Sequence, residues 1–476
     1  MGPAWDHVFM ALMEEFGAAS DETWLVGGCL RDMLLGLPIG DLDLVTAADP
    51  LTLAQRLHAR LGASVARLPR SVRVGIPPRS VAYDDSPICQ VDISSLGESG
   101  LEDDLRARDF TINAMALPLR AWKAAREASL TQNVPSGLLD PTGGYADLRR
   151  GLLRLAGRAA LRDDPGRILR GARHIARLGL TPTDETIALA TDAGPLLRDL
   201  SPDRLRDELN LLLAEPGCAE GVTFLERAGA FASLFPELSE SRAVVHALDS
   251  LRWTAHIQQQ SDPDREQVDF GQGTPAGDWY AAPLPNGAPR ITALRWGLLL
   301  HALAPHEGSA LPGPRVERGS DAWGLRRLPR GPERRIAFEI EARASFTARL
   351  IAYREPDERD MRRLFAVAGE VTVDVLMAAA ACASAQLAEG TMRADEARLT
   401  GERVGAILDL YFADPARLIP PPLLTGRDLI QGLGVAPGPL IHRLLAEVRE
   451  AQLDGRVTSY AEALALTAEV LGEQAL

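Results

Sequence analysis

Two aspartates one residue apart are the side chains of this sequence best suited to chemistry. Asp41 and Asp43 lie in DLDLVT, whose alternating residues predict a β-strand. Side chains two residues apart on a strand point to the same face, and carboxylates held so close repel each other unless a cation lies between them. Hard oxygen ligands suit Mg²⁺. The pair predicts a metal site for phosphoryl or nucleotidyl transfer, although a single D-x-D motif also fits a solvated strand edge.

A glycine pair shortly before the aspartates adds a second half to this site. Gly27 and Gly28 close the predicted strand TWLVGG and precede the short predicted helix LRDMLLG. Without Cβ atoms, their backbone amides can approach a phosphate closely, and the helix adds its positive N-terminal end. Arg31 could reach triphosphate oxygens. A glycine pair alone is commonly just a turn, but the combination predicts a nucleoside-triphosphate site with metal ions.

The elements that must position these residues predict a mixed α/β domain over residues 1–150. PLTLAQRLHARLG predicts a helix, SPICQVDIS a strand, and LEDDLRARDFTINAMAL a segment that is helical at its start and at its end. DPTGGYADLRRGLLR predicts a turn followed by a short extended run. After Leu161 nearly every segment is helical, so the predicted fold class is α+β. The polar, Pro- and Gly-rich stretch from Gln258 to Arg290 predicts a flexible, exposed insertion.

Composition and charge narrow the class of protein. The chain has 476 residues and a net charge of −14, which argues against indiscriminate binding to nucleic acid. Nine arginines and two acids between residues 149 and 180 nevertheless give a local net charge of +7. This charge fits a site that binds one polyanion, and it also fits a set of solvated helix faces. No signal peptide or membrane span is expected. The four scattered cysteines favour reduced thiols in a cytoplasmic protein.

Four segments resemble, in order, the motifs of the class II tRNA nucleotidyltransferase and bacterial poly(A) polymerase family, within the polymerase-β-like superfamily. The first combines the Gly-Gly pair, Arg31-Asp32, Leu34-Leu35-Gly36 and the Asp41/Asp43 pair. The others are ARDFTINAMA, DPTGGYADLRRGLLR and DDPGRILRGARHIARLG, with a weaker helical fifth motif from Ser201. The resemblance covers residues 24 to about 240 and returns weakly in residues 423–455.

The resemblance implies a domain order. An N-terminal mixed α/β nucleotidyltransferase head, or palm, spans residues 1–150. It is followed by an all-helical neck, body and tail. Residues 151–240 carry the helices that recognise the nucleobase and bind tRNA, and residues 241–476 form the helical body and tail.

The resemblance also implies a role for each matching residue. Asp41 and Asp43 are the catalytic residues and the metal ligands, and Mg²⁺ is the cofactor. Asp164 and Arg167 read the base of CTP or ATP, and their spacing places them on one helix face. The full nucleotide-binding set is Gly27, Gly28, Arg31, Asp32, Arg108, Asp109, Asn113, Asp164, Arg167, Arg170 and Arg173.

Three positions depart from the family pattern or extend it. Ala107 stands where the family usually has an arginine, and Arg106 could partly replace it. Asp163 stands where glutamate is usual. Asp92 in QVDIS is the candidate for a third carboxylate, since superfamily members often place one on a neighbouring strand, but it also fits a solvated strand residue.

The function implied is addition of nucleotides to the 3′ end of tRNA from CTP, ATP or both, with release of pyrophosphate. Many CCA-adding members have a longer flexible segment where this chain has only SLGESGLEDDLR, which favours addition of CC alone over full CCA. Poly(A) polymerase and a catalytically inactive RNA-binding protein are the alternatives. The expected partner is the acceptor arm and 3′ end of tRNA, with no membrane and no DNA.

A second resemblance concerns the helical C-terminal half. LRWGLLLHALAP looks like the metal-binding helix of HD-type phosphohydrolases, but His301 is followed by Ala302 where those proteins have aspartate. His246 could be the remnant of an upstream ligand. A lone histidine on an apolar helix is more often a packed core residue, so this degenerate HD-like region is predicted to be a scaffold without hydrolase activity.

Overall fold

The computed structural model describes residues 6–69, 71–76, 88–123, 134–235, 241–259, 276–302 and 328–473. The chain divides into two compact units, Met1–Leu234 and Phe235–Leu476. The first unit contains a six-stranded sheet followed by helices, and the described part of the second is helical. The α+β fold class with an N-terminal mixed domain is therefore confirmed.

The sheet of the first unit has the strand order β3-β4-β5-β2-β1-β6, and β2 and β5 are its parallel pair. A two-stranded parallel ladder joins β7 to β8. The strands are β1 Thr23–Val26, β2 Asp41–Thr46, β3 Ser64–Arg67, β4 Ser71–Gly75, β5 Gln90–Ser95, β6 Ala116–Pro118, β7 Leu152–Leu153 and β8 Thr181–Pro182.

Helices pack against this sheet and continue beyond it. Asp49 caps α3 by accepting from the Thr52 amide, and Gly62 ends the same helix in the left-handed conformation. The 3₁₀ turns are Gly17–Glu22, Thr111–Asn113, Leu119–Ala121 and Gly194–Asp199. The α-helices of the first unit are α1 Asp6–Phe16, α2 Gly27–Leu35, α3 Pro50–Leu61, α4 Leu101–Arg106, α5 Gly144–Arg150, α6 Ala160–Asp163, α7 Gly166–Leu178, α8 Asp184–Ala193, α9 Pro202–Ala214, α10 Cys218–Arg227 and α11 Ala230–Leu234.

The second unit contains two apolar cores. The larger lies among α14, α15, α17 and α18, and the smaller lies among the last three helices. The described helices are α12 Ser241–Gln259, α13 Ala276–Ala281, α14 Arg290–His301, α15 Gly331–Tyr353, α16 Glu358–Ala368, α17 Val371–Ala388, α18 Ala394–Ala413, α19 Pro415–Leu418, α20 Gly426–Leu433, α21 Pro439–Leu453 and α22 Tyr460–Glu473.

One helix, α17, is long and apolar enough to cross a membrane by length and composition, with a mean hydropathy of 1.6. However, 78% of it is buried within the protein. Its Asp374 is fully buried and pairs with Arg290 at 2.7 Å. Packing and a buried ion pair identify α17 as a core helix, which an apolar sequence pattern alone does not distinguish from a membrane span.

Several local predictions need correction. The end of LEDDLRARDFTINAMAL is not helical, because residues 116–118 form β6 and pair with β1. DPTGGYADLRRGLLR contains the helix α5 between its turn and its short strand. Strands β3 and β4 had no sequence prediction. Residues 260–275 of the predicted insertion lie outside the described residues, but Tyr280 within the same stretch is only 1% exposed and packs in the larger core. Leu284 is buried as well, whereas residues 282, 283, 285–287 and 289 are exposed.

Candidate active site

Three carboxylates lie together on one face of the sheet. Leu42 and Leu44 of β2 are buried, so the alternation of the strand turns Asp41 and Asp43 to the opposite face. Parallel pairing of β2 with β5 sets Asp92 directly beside Asp43. Residues paired in this way on neighbouring strands place their side chains on the same face. The register thus brings the candidate third carboxylate to the two predicted metal ligands.

The electrostatics of this face fit a divalent cation. Burial raises the pKa of Asp43 above its ordinary value; Arg108 opposes this rise, whereas the negative charges of Asp92 and Asp41 add to it. Oxygen ligands whose mutual repulsion is only partly compensated suit a hard cation such as Mg²⁺. The donor set therefore fits the predicted metal.

An arginine that the sequence analysis missed also borders this face. Arg73 on β4 pairs in register with Asp92 and donates from Nε and Nη2 to its two carboxylate oxygens, each at 2.9 Å. Gln90 donates to the same carboxylate at 3.2 Å. Asp92 is thus held by a bidentate ion pair and is not a freely solvated strand residue. No sequence signal was available for Arg73, because β4 itself was not predicted.

Gly27 occupies a position at the start of α2 that excludes a side chain. Its φ of +73° is in the left-handed region, where glycine is strongly favoured. A Cβ atom there would lie 3.0 Å from Arg108 Nη1 and 3.2 Å from Asp43 Oδ2. The missing side chain therefore leaves room for Arg108 and Asp43 beside the start of α2, while the close approach of the glycine amides to a phosphate stays a prediction.

Behind the helix start lies a buried network that joins α2 to the second motif and to α7. Arg31 donates from Nε to Asp32 at 2.8 Å and from Nη1 to Asn113 Oδ1 at 2.7 Å. Asn113 in turn donates to Asp109 at 3.1 Å, and Arg177 pairs with Asp32 at 3.1 Å. Arg31 is only 3% exposed. The network fixes its guanidinium within the site, while its predicted contact with the triphosphate stays a prediction.

The same region concentrates positive charge around a buried histidine. His174 on α7 lies edge-on to Phe110, and its Nε2 is 3.2 Å from Asn113 Nδ2. Burial, followed by the positive charges of neighbouring arginines, holds the pKa of His174 well below its usual range. Those arginines are Arg31, Arg173, Arg170 and Arg177. The four arginines supply cationic groups that suit a polyphosphate, and Asp32, Asp109 and Glu208 pair with them in this structure.

The predicted base-reading pair does not share a helix face, because Asp164 has an extended backbone (φ −147°, ψ 96°) and precedes α7, which begins at Gly166 and carries Arg167. Asp164 accepts from Arg204 Nη2 at 2.7 Å and from the Gly166 amide at 3.1 Å. Burial alone would raise the pKa of Asp164, but the hydrogen bond and charge of Arg204 bring it below the ordinary value. Arg167 lies at the edge of an ion pair with Asp164, with Nε 4.0 Å from its carboxylate. Arg204 was missed because it belongs to α9, 40 residues further along the chain.

Arg167 and Arg170 connect α7 to the second motif. Arg167 Nη1 donates to the carbonyl oxygen of Ala107 at 3.2 Å, and Arg170 pairs with Asp109 at 3.2 Å. Arg173 lies 3.7 Å from Glu208, and burial lowers its pKa. The structure therefore brings the second and fourth motifs together. Contact of these three arginines with a nucleotide stays a prediction.

The third motif packs against the second motif. Asp140 accepts from the amides of Gly144 and Tyr145 at 2.7 and 2.9 Å, which satisfies the first amides of α5. A Cβ atom on Gly144 would lie 1.9 Å from the carbonyl oxygen of Thr111. Glycine is thus required where α5 packs on the Thr111–Asn113 turn. The role of this motif in the structure is packing and not contact with the carboxylate face.

Comparison with known proteins agrees with the fold and with the family that the sequence motifs resemble. Residues 23–154 match the poly A polymerase head domain, and residues 179–241 match the probable RNA and SrmB-binding site of polymerase A. An A-adding tRNA nucleotidyltransferase of Deinococcus radiodurans is 30% identical over 469 residues, covering 93% of this chain and 94% of that protein. A CC-adding tRNA nucleotidyltransferase of Geobacter sulfurreducens is 33% identical over 215 residues, which cover 44% of this chain and 45% of that protein.

Solved structures extend the comparison of the fold. The Bacillus stearothermophilus CCA-adding enzyme in complex with CTP has a TM-score of 0.63 at 21% identity, with 100% of this chain and 99% of that chain covered. The Thermotoga maritima CCA-adding enzyme complexed with tRNA has a TM-score of 0.62 at 20% identity, covering 99% and 96%. A carboxylate-bearing sheet joined to an arginine-rich helix is a nucleotidyltransferase architecture. This chain belongs to the tRNA nucleotidyltransferase family.

Proposed function

We propose that this protein adds nucleotides to the 3′ end of tRNA from nucleoside triphosphates, with the protein and not a nucleic-acid template choosing the base. The observation that carries the proposal is the register that sets Asp43 beside Asp92, with Asp41 on the same face. Gly27, at the start of α2, touches this face, and the arginines around His174 lie behind that helix. The reaction belongs in the cytoplasm, where the four free cysteines stay reduced.

The proposed reaction is a displacement at the α-phosphate. The 3′-hydroxyl oxygen of the tRNA forms a bond to the α-phosphorus. The bond between the α-phosphorus and the oxygen that bridges it to the β-phosphorus breaks, and pyrophosphate leaves with that electron pair. Asp41 and Asp43, with Asp92 as the candidate third ligand, would hold Mg²⁺, which would supply charge neutralisation for attack and departure. Arg170 and Arg173 hold the triphosphate, and Asp164 and Arg167 present an acceptor and donors to the base edge.

The connection between β5 and α4 favours addition of CC alone. Only Leu96–Gly100 separate the two elements. The Leu96 amide donates to Thr46 at 2.7 Å, and the Gly100 amide donates to Gly97 at 3.1 Å. A connection of five residues that is hydrogen-bonded at both ends has little length with which to rearrange between two bases. We therefore propose that the site accepts CTP and stops after two cytidines.

The named relatives differ in the base they add, so a direct assay must decide. Purified protein is incubated with Mg²⁺ and with tRNA that lacks its 3′ end, ends in C, or ends in CC. CTP and ATP are supplied separately and together. We expect two, one and no cytidines on the three substrates, with no adenosine even when ATP is present. Asp41→Ala should abolish incorporation, because it removes a metal ligand.

Each of the other outcomes would indicate a different activity. Adenosine added only to tRNA ending in CC would identify an A-adding enzyme, and CCA would identify full end synthesis; either would overturn the argument from the short connection. A long adenosine tail would indicate a poly(A) polymerase. Absence of incorporation would favour an inactive RNA-binding protein. Full activity of Asp41→Ala would instead overturn the assignment of Asp41 as a metal ligand.

A further inference from the structure

Three side chains that commonly bind metals meet inside the second unit, which holds none of the residues of the candidate active site. His246 lies on α12, His301 is the last residue of α14, and Cys382 lies on α17. They are 1%, 2% and 0% exposed. One ligand atom of each lies within 4.8 Å of the other two. The tertiary structure thus brings together the two histidines singled out in the sequence and adds a cysteine that no motif indicated.

The surroundings of both imidazoles favour ligation. His246 Nδ1 lies 2.8 Å from Glu389 Oε1, and His301 Nδ1 lies 3.4 Å from the carbonyl oxygen of Glu341. Both oxygens accept hydrogen bonds, so each ring carries its proton on Nδ1 and its lone pair on Nε2. A histidine whose second nitrogen donates to a carboxylate or a carbonyl is the usual arrangement around protein-bound metals, because it orients the ring.

The charges balance for a divalent ion. Burial raises the pKa of the Cys382 thiol to about 12, so a bound cation would have to displace its proton. Cys382 would then contribute one negative charge and Glu389 a second, while the two imidazoles are neutral. A divalent cation among them gives a sum of zero, which avoids the cost of burying a net charge. Sulfur and imidazole nitrogen prefer Zn²⁺ over Mg²⁺, so this site and the carboxylate face would take different metals.

We propose that His246, His301 and Cys382 form a zinc site that ties α12, α14 and α17 together. Ser345 Oγ lies 2.8 Å from His301 Nε2, whose lone pair accepts from this hydroxyl in the present structure; a metal ion at Nε2 would displace that hydrogen bond and leave Ser345 beside the fourth position. Ligands from three helices make metal binding part of the folding of the second unit, so the ion stabilises the unit by mass action. The proposed role of this site is structural and separate from nucleotidyl transfer. Ala302 supplies no carboxylate ligand, so the proposal includes no hydrolase activity.

The test uses the full chain without a histidine tag. The protein is treated with a chelator, reconstituted with Zn²⁺ or Co²⁺, and dialysed. We expect about one equivalent of zinc per chain by elemental analysis. The Co²⁺ form should show a thiolate-to-metal charge-transfer band in the near ultraviolet and the intense visible bands of tetrahedral cobalt. Zinc should also raise the midpoint of thermal unfolding.

Two variants and a matched control locate the site. Cys382→Ser should lose the charge-transfer band, and His246→Gln, which keeps every cysteine, should bind zinc at least about tenfold more weakly. Cys218→Ser removes a buried cysteine of the first unit and should leave the band unchanged. If Cys382→Ser fails to fold, His246→Gln decides, because it removes a ligand of this site and leaves Cys89 and the carboxylate face intact. Absence of bound zinc and of the band in the wild-type protein, or persistence of the band in Cys382→Ser, would overturn the proposal.

Discussion

Arg204 Nη2 donates to Asp164 Oδ2 over 2.7 Å, so a helix of the neck holds the carboxylate predicted to read the base. Gly166 makes this contact possible. A Cβ atom there would lie 2.7 Å from the same Arg204 nitrogen. Oδ2 of Asp164 is therefore engaged by Arg204 and Oδ1 by the Gly166 amide, so the lone pairs that remain for a base edge have a defined direction. Arg204 is a positioning residue that acts through Asp164.

Arg204→Ala should weaken nucleotide selection without unfolding the protein. Arg204 is 41% and Asp164 24% exposed at the side chain, so the pair contributes only about 1 kcal/mol, which corresponds to a loss of about fivefold in kcat/KM for the preferred nucleotide. Gly166→Ala should have a similar effect, because the new methyl group displaces the guanidinium. The ratio of kcat/KM for CTP and ATP is the readout.

Arg206→Ala is the matched control for this experiment. Arg206 lies on the same helix but pairs with Asp203 and Asp207, away from Asp164. We expect its nucleotide ratio to equal that of the wild-type protein. Equal ratios in Arg204→Ala and Arg206→Ala would show that Arg204 only stabilises the neck.

Asp92→Asn and Arg73→Ala should move the Mg²⁺ requirement in opposite directions. Removing a negative ligand weakens cation binding, so Asp92→Asn should need more Mg²⁺ for half-maximal activity and lose about 100-fold in rate or more. Removing the cation that holds Asp92 should lower the Mg²⁺ needed. Titration of activity with Mg²⁺ measures both. An unchanged titration in Asp92→Asn would leave Asp92 as an ion-paired strand residue.

Asp43→Asn should stabilise the metal-free protein at neutral pH. Burial raises the pKa of Asp43 in the folded state above the ordinary value of 3.8. The folded state therefore binds the proton more tightly than the unfolded chain, and stability falls as the pH rises through this interval. The destabilisation is absent below the ordinary pKa and complete above the raised one. The asparagine should thus raise the unfolding temperature at pH 7 but not under acidic conditions.

Mg²⁺ provides the control for this pH effect. It should raise the unfolding temperature of the wild-type protein, because the ion compensates the buried carboxylate, and should have little effect on Asp43→Asn. The variant should also be inactive, so stability and activity change in opposite directions. If Asp43→Asn is less stable than the wild-type protein in the absence of metal, the buried charge of Asp43 does not destabilise the folded state.

Alkylation of Cys89 should report on occupancy of the carboxylate face. Cys89 is the exposed cysteine of the four, and its Sγ lies 3.6 Å from Asp41 Oδ1. Burial and the charge of Asp41 raise its pKa, so modification by iodoacetamide should accelerate as the pH rises above 9. Mg²⁺ with CTP should protect the thiol, because the ligands cover Asp41.

The matched variant for this experiment is Cys89→Ser. Its activity should survive iodoacetamide, since Cys29, Cys218 and Cys382 are buried. Mass spectrometry after brief labelling identifies the modified residue. Inactivation of Cys89→Ser at the wild-type rate would place the sensitive thiol elsewhere.

Residues whose role is local could be recognised from the sequence. The spacing of Asp41 and Asp43 on a strand, the glycines before α2, and the helix that carries Arg167 and Arg170 depend on periodicity and on neighbours a few positions away. The α+β order of the domains followed from the same patterns. Local chemistry and local geometry therefore suffice to predict a nucleotidyltransferase site on a strand and a helix.

Contacts between distant segments required the tertiary structure. Arg73 meets Asp92 through the pairing of β4 with β5, and Arg204 meets Asp164 across 40 residues. Cys382 meets His246 and His301 only because three helices pack together. Side-chain periodicity specifies which face a residue occupies, but strand register and helix packing determine what lies opposite it, and these depend on the whole core.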